Sequence, residues 1–302
     1  MDISRLHGVF APIPSNTDDK DNFLEAEFAT NIERLLKEGI HGLYVCGGTG
    51  DALLMRVDER KRAAEIAKSL TDKYGRELIL HVGGGTLRDA IELAKHGESI
   101  GVTALSSLPP MGYSQPQIVD FYQQLAAETS LPILVYNIPG MTHITPTTKE
   151  IKELLKIPNV VGLKISAWNI FQIRELITAD PNTVIFNGFD EMVGLGMMCG
   201  AQGTIGTWIN LFPNTYMALY GAVQKKDFNL AVELHNRFTA FLSKAWELYG
   251  PVEVFEELFR QAGYGDRCFR RPHADLPEEL KAKVTPLLKE VEEIEAASKK
   301  LR

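Results

Sequence analysis

Cysteine is scarce in this chain, at three residues in 302, and the three stand far apart, at Cys46, Cys199 and Cys268. No CxxC pair and no Cys/His ligand spacing occurs, which argues against a zinc site. The odd number and wide spacing read as free thiols in a reducing compartment. Long apolar runs are missing too, and none approaches a membrane span. The N-terminus, Met1-Asp2-Ile3-Ser4-Arg5, lacks a basic segment followed by an apolar one, so no signal peptide is expected. There is no Asn-x-Ser/Thr sequon. Positive charge is not in excess: 32 Lys and Arg against 39 Asp and Glu leave a net charge of -7. That argues against nucleic acid and acidic membrane surfaces as partners, although a site for a small anion can still be locally positive. A cytoplasmic location is the expectation.

What is present is ordinary globular material, 45% hydrophobic and 24% charged. One stretch stands out, Val160-Val161-Gly162-Leu163-Lys164-Ile165-Ser166. A strand buried on both faces carries Val, Ile and Leu continuously. A lysine inside such a run costs free energy unless it is paired or neutralised. Desolvation lowers its pKa and makes the amine a nucleophile toward a carbonyl. From the run alone, a lysine at a strand end that snorkels to water fits equally well.

Taken in order, the chain alternates. Short apolar runs at 8–12, 42–46, 78–82, 101–105, 132–136, 160–164 and 183–187 read as strands. A weak eighth, at 203–206, is short and glycine-rich. Helical periodicity fills the gaps at 22–37, 117–128, 148–155 and 169–177. Asp58 is expected to cap a helix through Leu70, and Thr86 another through Ala94. Asp190 and Glu191 are expected to open an apolar helix reaching Cys199. A spacing of roughly 25–30 residues per strand is that of a βα unit. Eight units in roughly 200 residues fit an α/β fold of the (β/α)8 TIM-barrel type better than an open sheet. The expected division is a barrel over 1–212 and a C-terminal helical extension over 213–302, packed on the barrel.

In such a barrel the active face lies at the C-terminal ends of the strands. Reading off those positions gives Gly48 and Thr49 after strand two, Tyr136 on five, and Lys164 and Ser166 on six. Strand seven gives Asn187, Gly188, Asp190 and Glu191, and strand eight gives Gly206, Thr207 and Asn210. Gly47-Gly48-Thr49-Gly50 offers backbone N–H groups and a hydroxyl to an anion, yet a tight turn explains it as well. Gly83-Gly84-Gly85 lacks the spacing of a dinucleotide fingerprint and reads as a turn. His81 and His143 read as satisfied core or loop histidines. Acids at 190 and 191 suit a helix N-terminus in any case.

The set as a whole resembles the pyruvate-dependent class I aldolase family that contains dihydrodipicolinate synthase and N-acetylneuraminate lyase. The likeness runs through Gly42-Leu43-Tyr44-Val45, Gly48-Thr49-Gly50-Asp51, Val135-Tyr136-Asn137-Ile138-Pro139 and Gly162-Leu163-Lys164. It continues in Asn187-Gly188-Phe189-Asp190-Glu191 and Arg271-Pro272. The resemblance implies a Schiff base between Lys164 and the C2 carbonyl of a 2-keto acid such as pyruvate. It implies Tyr136 as proton shuttle, and Gly48 and Thr49 as holders of the substrate carboxylate. It also implies a homotetramer. No metal or diffusible cofactor is expected, because the imine is the electron sink.

Within the family, dihydrodipicolinate synthase-like members carry an arginine shortly after the Tyr-Asn segment. Here Gly140-Met141-Thr142 takes that place. The Asn-Gly-Phe-Asp-Glu run resembles the lyase subfamily, whose acidic pair accepts from the polyol of sialic acid. Ser166, Gly188 and Thr207 join Asp190 and Glu191 as expected substrate contacts. Gly48 departs from the lyase pattern, which has a hydroxyl residue there, and resembles the sugar-acid dehydratases. Three outcomes stay open: cleavage of N-acetylneuraminate, action on a shorter 2-keto-3-deoxy sugar acid, or a keto-acid-binding paralogue without turnover. Whether Tyr113 reaches a neighbouring subunit is open as well.

Overall fold

Side chains alternate across a strand, so each strand of a closed barrel sends every second residue inward. The computed structural model, which describes residues 3–302, follows this rule except at Val161, where the β5–β6 register shifts. Eight parallel strands close in sequence order: β1 (Gly8–Pro12), β2 (Gly42–Val45), β3 (Glu77–His81), β4 (Ala104–Ser107), β5 (Ile133–Asn137), β6 (Val160–Ile165), β7 (Val184–Asn187) and β8 (Gly203–Thr204). Phe10, Tyr44, Ile79, Ala104, Leu134, Val184, Phe186 and Ile205 fill the interior as one apolar cluster. The alternate residues, such as Leu43, Leu80, Leu105, Val135 and Leu163, join a larger core beneath the helices. The near-continuous apolar strands have this double burial as their cause.

The helices between the strands are α1 (Glu25–Lys37), α2 (Val57–Tyr74), α3 (Leu87–Ile100), α4 (Gln115–Ala127), α5 (Pro139–Thr142), α6 (Thr148–Leu154), α7 (Phe171–Ala179) and α8 (Val193–Met198). After β8 come α9 (Pro213–Gln224), α10 (Phe228–Leu248), α11 (Pro251–Gln261) and α12 (Glu278–Lys299). Helix α9 packs on both α8 and β1, so the barrel's outer layer continues beyond residue 212. Helix α12 packs against α9, α10 and α11.

Some local expectations shift. The fourth strand lies at Ala104–Ser107 rather than 101–105, because Gly101 takes a left-handed φ of 77° and ends α3. Helix α2 begins at Val57 with Arg56 at its N-cap, so Asp58 lies in the first turn and pairs with the Arg56 guanidinium at 3.0 Å. Thr86 caps α3, accepting from the Asp89 N–H at 3.1 Å. The segment from Asp190 splits into a 3-10 turn, Asp190–Met192, and the short α8. No helix among the described residues is long and apolar enough to cross a membrane.

Candidate functional site

Strand register sets the centre of the site. Tyr136 on β5 and Lys164 on β6 are Cα partners, and both point inward at the C-terminal end of the barrel. Lys164 is buried, with Nζ 4.1 Å from the Tyr136 ring centroid and 4.4 Å from that of Tyr44. Among the described residues it makes no ion pair. Two aromatic faces favour a cation weakly. Burial outweighs them and takes the Lys164 pKa down to about 7, while the charge of Asp190 opposes the fall. A sizeable fraction of the amine is therefore neutral, and nucleophilic, near neutral pH.

The surroundings hold this pair in place. Tyr44 donates to Ser106 Oγ at 3.1 Å across the barrel interior. His81 lies edge-on to Tyr136, with ring centroids 5.8 Å apart. The Leu108 N–H donates to His81 Nε2 at 3.1 Å, so Nδ1 carries the proton and donates to the Cys46 carbonyl at 2.7 Å. Burial holds the His81 pKa well below the usual value, and the ring stays neutral. It is the satisfied core histidine expected from the sequence, whereas His143 is exposed at the end of α5. Burial also raises the Tyr136 phenol well above its ordinary range. Tyr136 is therefore a phenol at neutral pH, able to relay a proton and unable to act as a standing base.

A cavity of about 330 Å³ opens above the lysine. Gly48, Thr49, Tyr136, Lys164, Ser166, Gly188, Asp190, Glu191 and Thr207, all expected from the sequence, line it together. On one side the Gly47–Gly50 turn leaves β2 through Cys46, at a φ of 57°. Thr49 Oγ1 meets Thr207 Oγ1 at 2.7 Å and ties that turn to the end of β8. A Cβ on Gly48 would lie 3.3 Å from Met141 Cε and 3.4 Å from the Tyr136 hydroxyl. At Gly188 a Cβ would press on Ser166 Oγ and stand 2.9 Å from Lys164 Cε, so only glycine lets β7 pass this close to the amine. Ser166 Oγ is buried without a hydrogen-bond partner.

The far side is acidic. Asp190 accepts from the Thr207 N–H at 3.0 Å and from the Tyr216 hydroxyl. Burial first, and then the neighbouring Glu191 charge, raise its pKa to about 7 against those donors. Burial raises Glu191 as well.

Three strand-end residues stay out of the cavity. Asn187 Nδ2 donates to the Phe189 carbonyl, and its side chain packs on Gly196. Asn210 braces the Pro12 and Thr207 carbonyls at 2.8 and 2.9 Å. Gly206 packs under Asp190. Conversely, strand-end reasoning missed the mouth. Trp246 of α10, Val252 and Phe255 of α11, and Phe269 and His273 beyond it close the cavity from the C-terminal segment. Asp51 anchors that segment: its carboxylate accepts the Arg270 N–H at 2.6 Å and lies 3.4 Å from His273 Nε2. The only signal was the Arg271-Pro272 pair in the family likeness. Tyr113 is exposed and lies outside the cavity. Among the described residues no group of His, Cys, Asp and Glu has the arrangement of a metal site.

The model of the dihydrodipicolinate synthetase family matches residues 5–291. The chain is 31% identical over 291 residues to N-acetylneuraminate lyase of Rhizobium meliloti (strain 1021), covering 94% of this chain and 96% of that one. Its fold superposes on the wild-type sialic acid aldolase of Ruminococcus gnavus with a TM-score of 0.90 at 24% identity, over 97% and 99% of the two chains. A prophage protein of E. coli K12, of the dihydrodipicolinic acid synthase family and solved in complex with pyruvate, superposes with a TM-score of 0.86 at 23% identity, over 95% and 98%. The chain thus belongs to the dihydrodipicolinate synthetase family of pyruvate-dependent class I aldolases, and it is a carbon–carbon lyase resembling N-acetylneuraminate lyase.

Proposed function

We propose that the enzyme cleaves a long 2-keto-3-deoxy sugar acid, N-acetylneuraminate, to N-acetylmannosamine and pyruvate through an imine on Lys164. The neutral amine adds to the C2 carbonyl and water leaves, giving a protonated carbon–nitrogen double bond. The C3–C4 electron pair then moves into that iminium as the bond breaks, while the Tyr136 phenol takes the C4 hydroxyl proton and passes its own to the substrate carboxylate. The resulting enamine takes a proton at C3. Hydrolysis of the imine releases pyruvate and restores the amine.

Backbone N–H groups of the Gly48–Thr49 turn and the Thr49 hydroxyl hold the substrate carboxylate. Asp190 and Glu191, with Ser166, Gly188 and Thr207 beside them, receive the hydroxylated tail, since carboxylates accept from hydroxyls. One observation carries the reading: a buried lysine with a pKa of about 7 lies over a tyrosine ring in a cavity whose far wall is two carboxylates. Reduction with borohydride in the presence of pyruvate, followed by peptide mass spectrometry, should place the adduct on Lys164. A coupled assay on N-acetylneuraminate should then show turnover; trapping without turnover would reject that substrate.

Gly48 favours a second reading, action on a shorter 2-keto-3-deoxy sugar acid by dehydration or cleavage. No side-chain hydroxyl stands over the Tyr136 phenol at this position. Gly48→Ser fits with a small movement of Met141 and should raise the share of cleavage product on a panel of keto-deoxy acids. We further propose a homotetramer in the cytoplasm, with neither metal nor diffusible cofactor in the reaction.

A further inference from the structure

Asp190 is held differently from its neighbour Glu191. The Tyr216 hydroxyl donates to Oδ1 and the Thr207 N–H donates to Oδ2. Among the described residues no side chain donates to the Glu191 carboxylate in this way. Tyr216 is fully buried on α9, and its ring packs edge-on against Phe238 of α10, with centroids 5.3 Å apart. A side chain at Gly206 would collide with Asp190 Oδ1 and reach 3.2 Å from the Tyr216 hydroxyl. The carboxylate is thus held by a phenol on one oxygen and an amide on the other, with the bare backbone of Gly206 packed against it. Asp190 also bears on both halves of the cavity. Thr207, whose amide it accepts, carries the hydroxyl that pairs with Thr49, and its charge favours the ammonium form of Lys164.

We propose that Tyr216 is a positioning residue: by holding Asp190 in one orientation, it sets the preference for a polyhydroxylated keto acid over a short one. This rests on the reading of Asp190 as an acceptor for the substrate tail. Tyr216 touches no substrate and acts through the carboxylate alone. Each Asp190 oxygen spends one lone pair on the protein and keeps another for a substrate hydroxyl, at a position the substrate does not have to organise.

The test compares the full-length wild type with Tyr216→Phe, Asp190→Asn and the double variant. Tyr216→Phe keeps the ring packing and removes one donor. The first readout is the rate of borohydride trapping with pyruvate against pH, which needs no sugar substrate. Tyr216 donation favours the ionised carboxylate, and that charge favours the Lys164 ammonium. Loss of the donor should therefore move the trapping midpoint to lower pH, with no further movement in the Asp190→Asn background. The second readout is the KM split. For N-acetylneuraminate, KM should rise about tenfold, the loss of one hydrogen bond to a charged group. For a short 2-keto-3-deoxy acid it should hold within about twofold, and the double variant should be no worse than Asp190→Asn. Equal losses on both substrates, or additive losses in the double variant, would overturn the proposal. Gly206→Ala, whose added methyl displaces Asp190 Oδ1, should reproduce the KM split if Tyr216→Phe folds poorly, and its failure to do so counts against the proposal. Wild type inert toward N-acetylneuraminate defeats the substrate reading, and the pH arm then still decides the role of Tyr216.

Discussion

At the scale of the residue, Lys164 shows its chemistry as a linkage between pH and stability. Its pKa is about 7 in the folded protein against an ordinary 10.5, and burial is the main cause. Between those values the unfolded chain binds the extra proton, so the stability contributed by this group rises with pH across that window, is lost as pH falls from 10.5 to about 7, and is flat below. Lys164→Met removes that dependence. Thermal melts should show the wild type losing ground to the variant at pH 6 and recovering it toward pH 10, and the variant should give no reductively trapped adduct with pyruvate. A flat difference between the two proteins across that range would contradict the depressed pKa. Tyr136→Phe should keep the pyruvate adduct while kcat for cleavage falls by about 10²–10⁴, the usual worth of a positioned proton relay. The lysine was readable in the sequence because an ammonium inside a Val/Leu/Ile run breaks the strand pattern. Tyr216 was not, because a tyrosine in an apolar helix looks like any other core aromatic until its hydroxyl meets a carboxylate from another unit. The role of Tyr44 was hidden for a related reason: inside β2 it reads as one more buried apolar residue.

At the scale of the element, glycine decides how closely strands approach. Gly162 faces the barrel interior on β6, and a Cβ there would run into the Val184 backbone carbonyl of β7. Gly162→Ala should cost about 1–3 kcal/mol, read as a lower denaturation midpoint. It should also weaken pyruvate trapping, because Lys164 lies two residues along the same strand. Strand identity was legible from apolar runs and their spacing, while strand ends were less so. Val102 and Thr103 carry strand-like side chains, yet they lie between the left-handed cap at Gly101 and the first ladder residue, Ala104. The turn α5 escaped detection because Pro139-Gly140 carries no helical periodicity, although it is what brings Met141 to the cavity.

At the scale of the whole molecule, the barrel was legible because eight repeats of one unit leave few alternatives, and the composition of the C-terminal helices pointed only to a packed extension. Their part in the site was invisible, since Trp246, Phe255 and His273 reach the cavity through tertiary packing rather than through any local pattern. Light scattering coupled to size exclusion should report four subunits, and prolonged chelation with EDTA should leave both adduct formation and turnover unchanged. A monomer with full activity would reject the proposed assembly, and a chelator-sensitive rate would reject a reaction carried by the lysine alone.

The pairing of Tyr136 with Lys164 across one rung of the sheet has a practical corollary. Sliding either strand by a single position would turn its reactive group out toward the helices while leaving a buried apolar barrel behind. Such a mispaired species could melt cooperatively and display native-like circular dichroism, yet it would be unable to capture a keto acid. Adduct yield per chain is therefore the assay that reports whether refolded or redesigned material has zipped in the correct alignment.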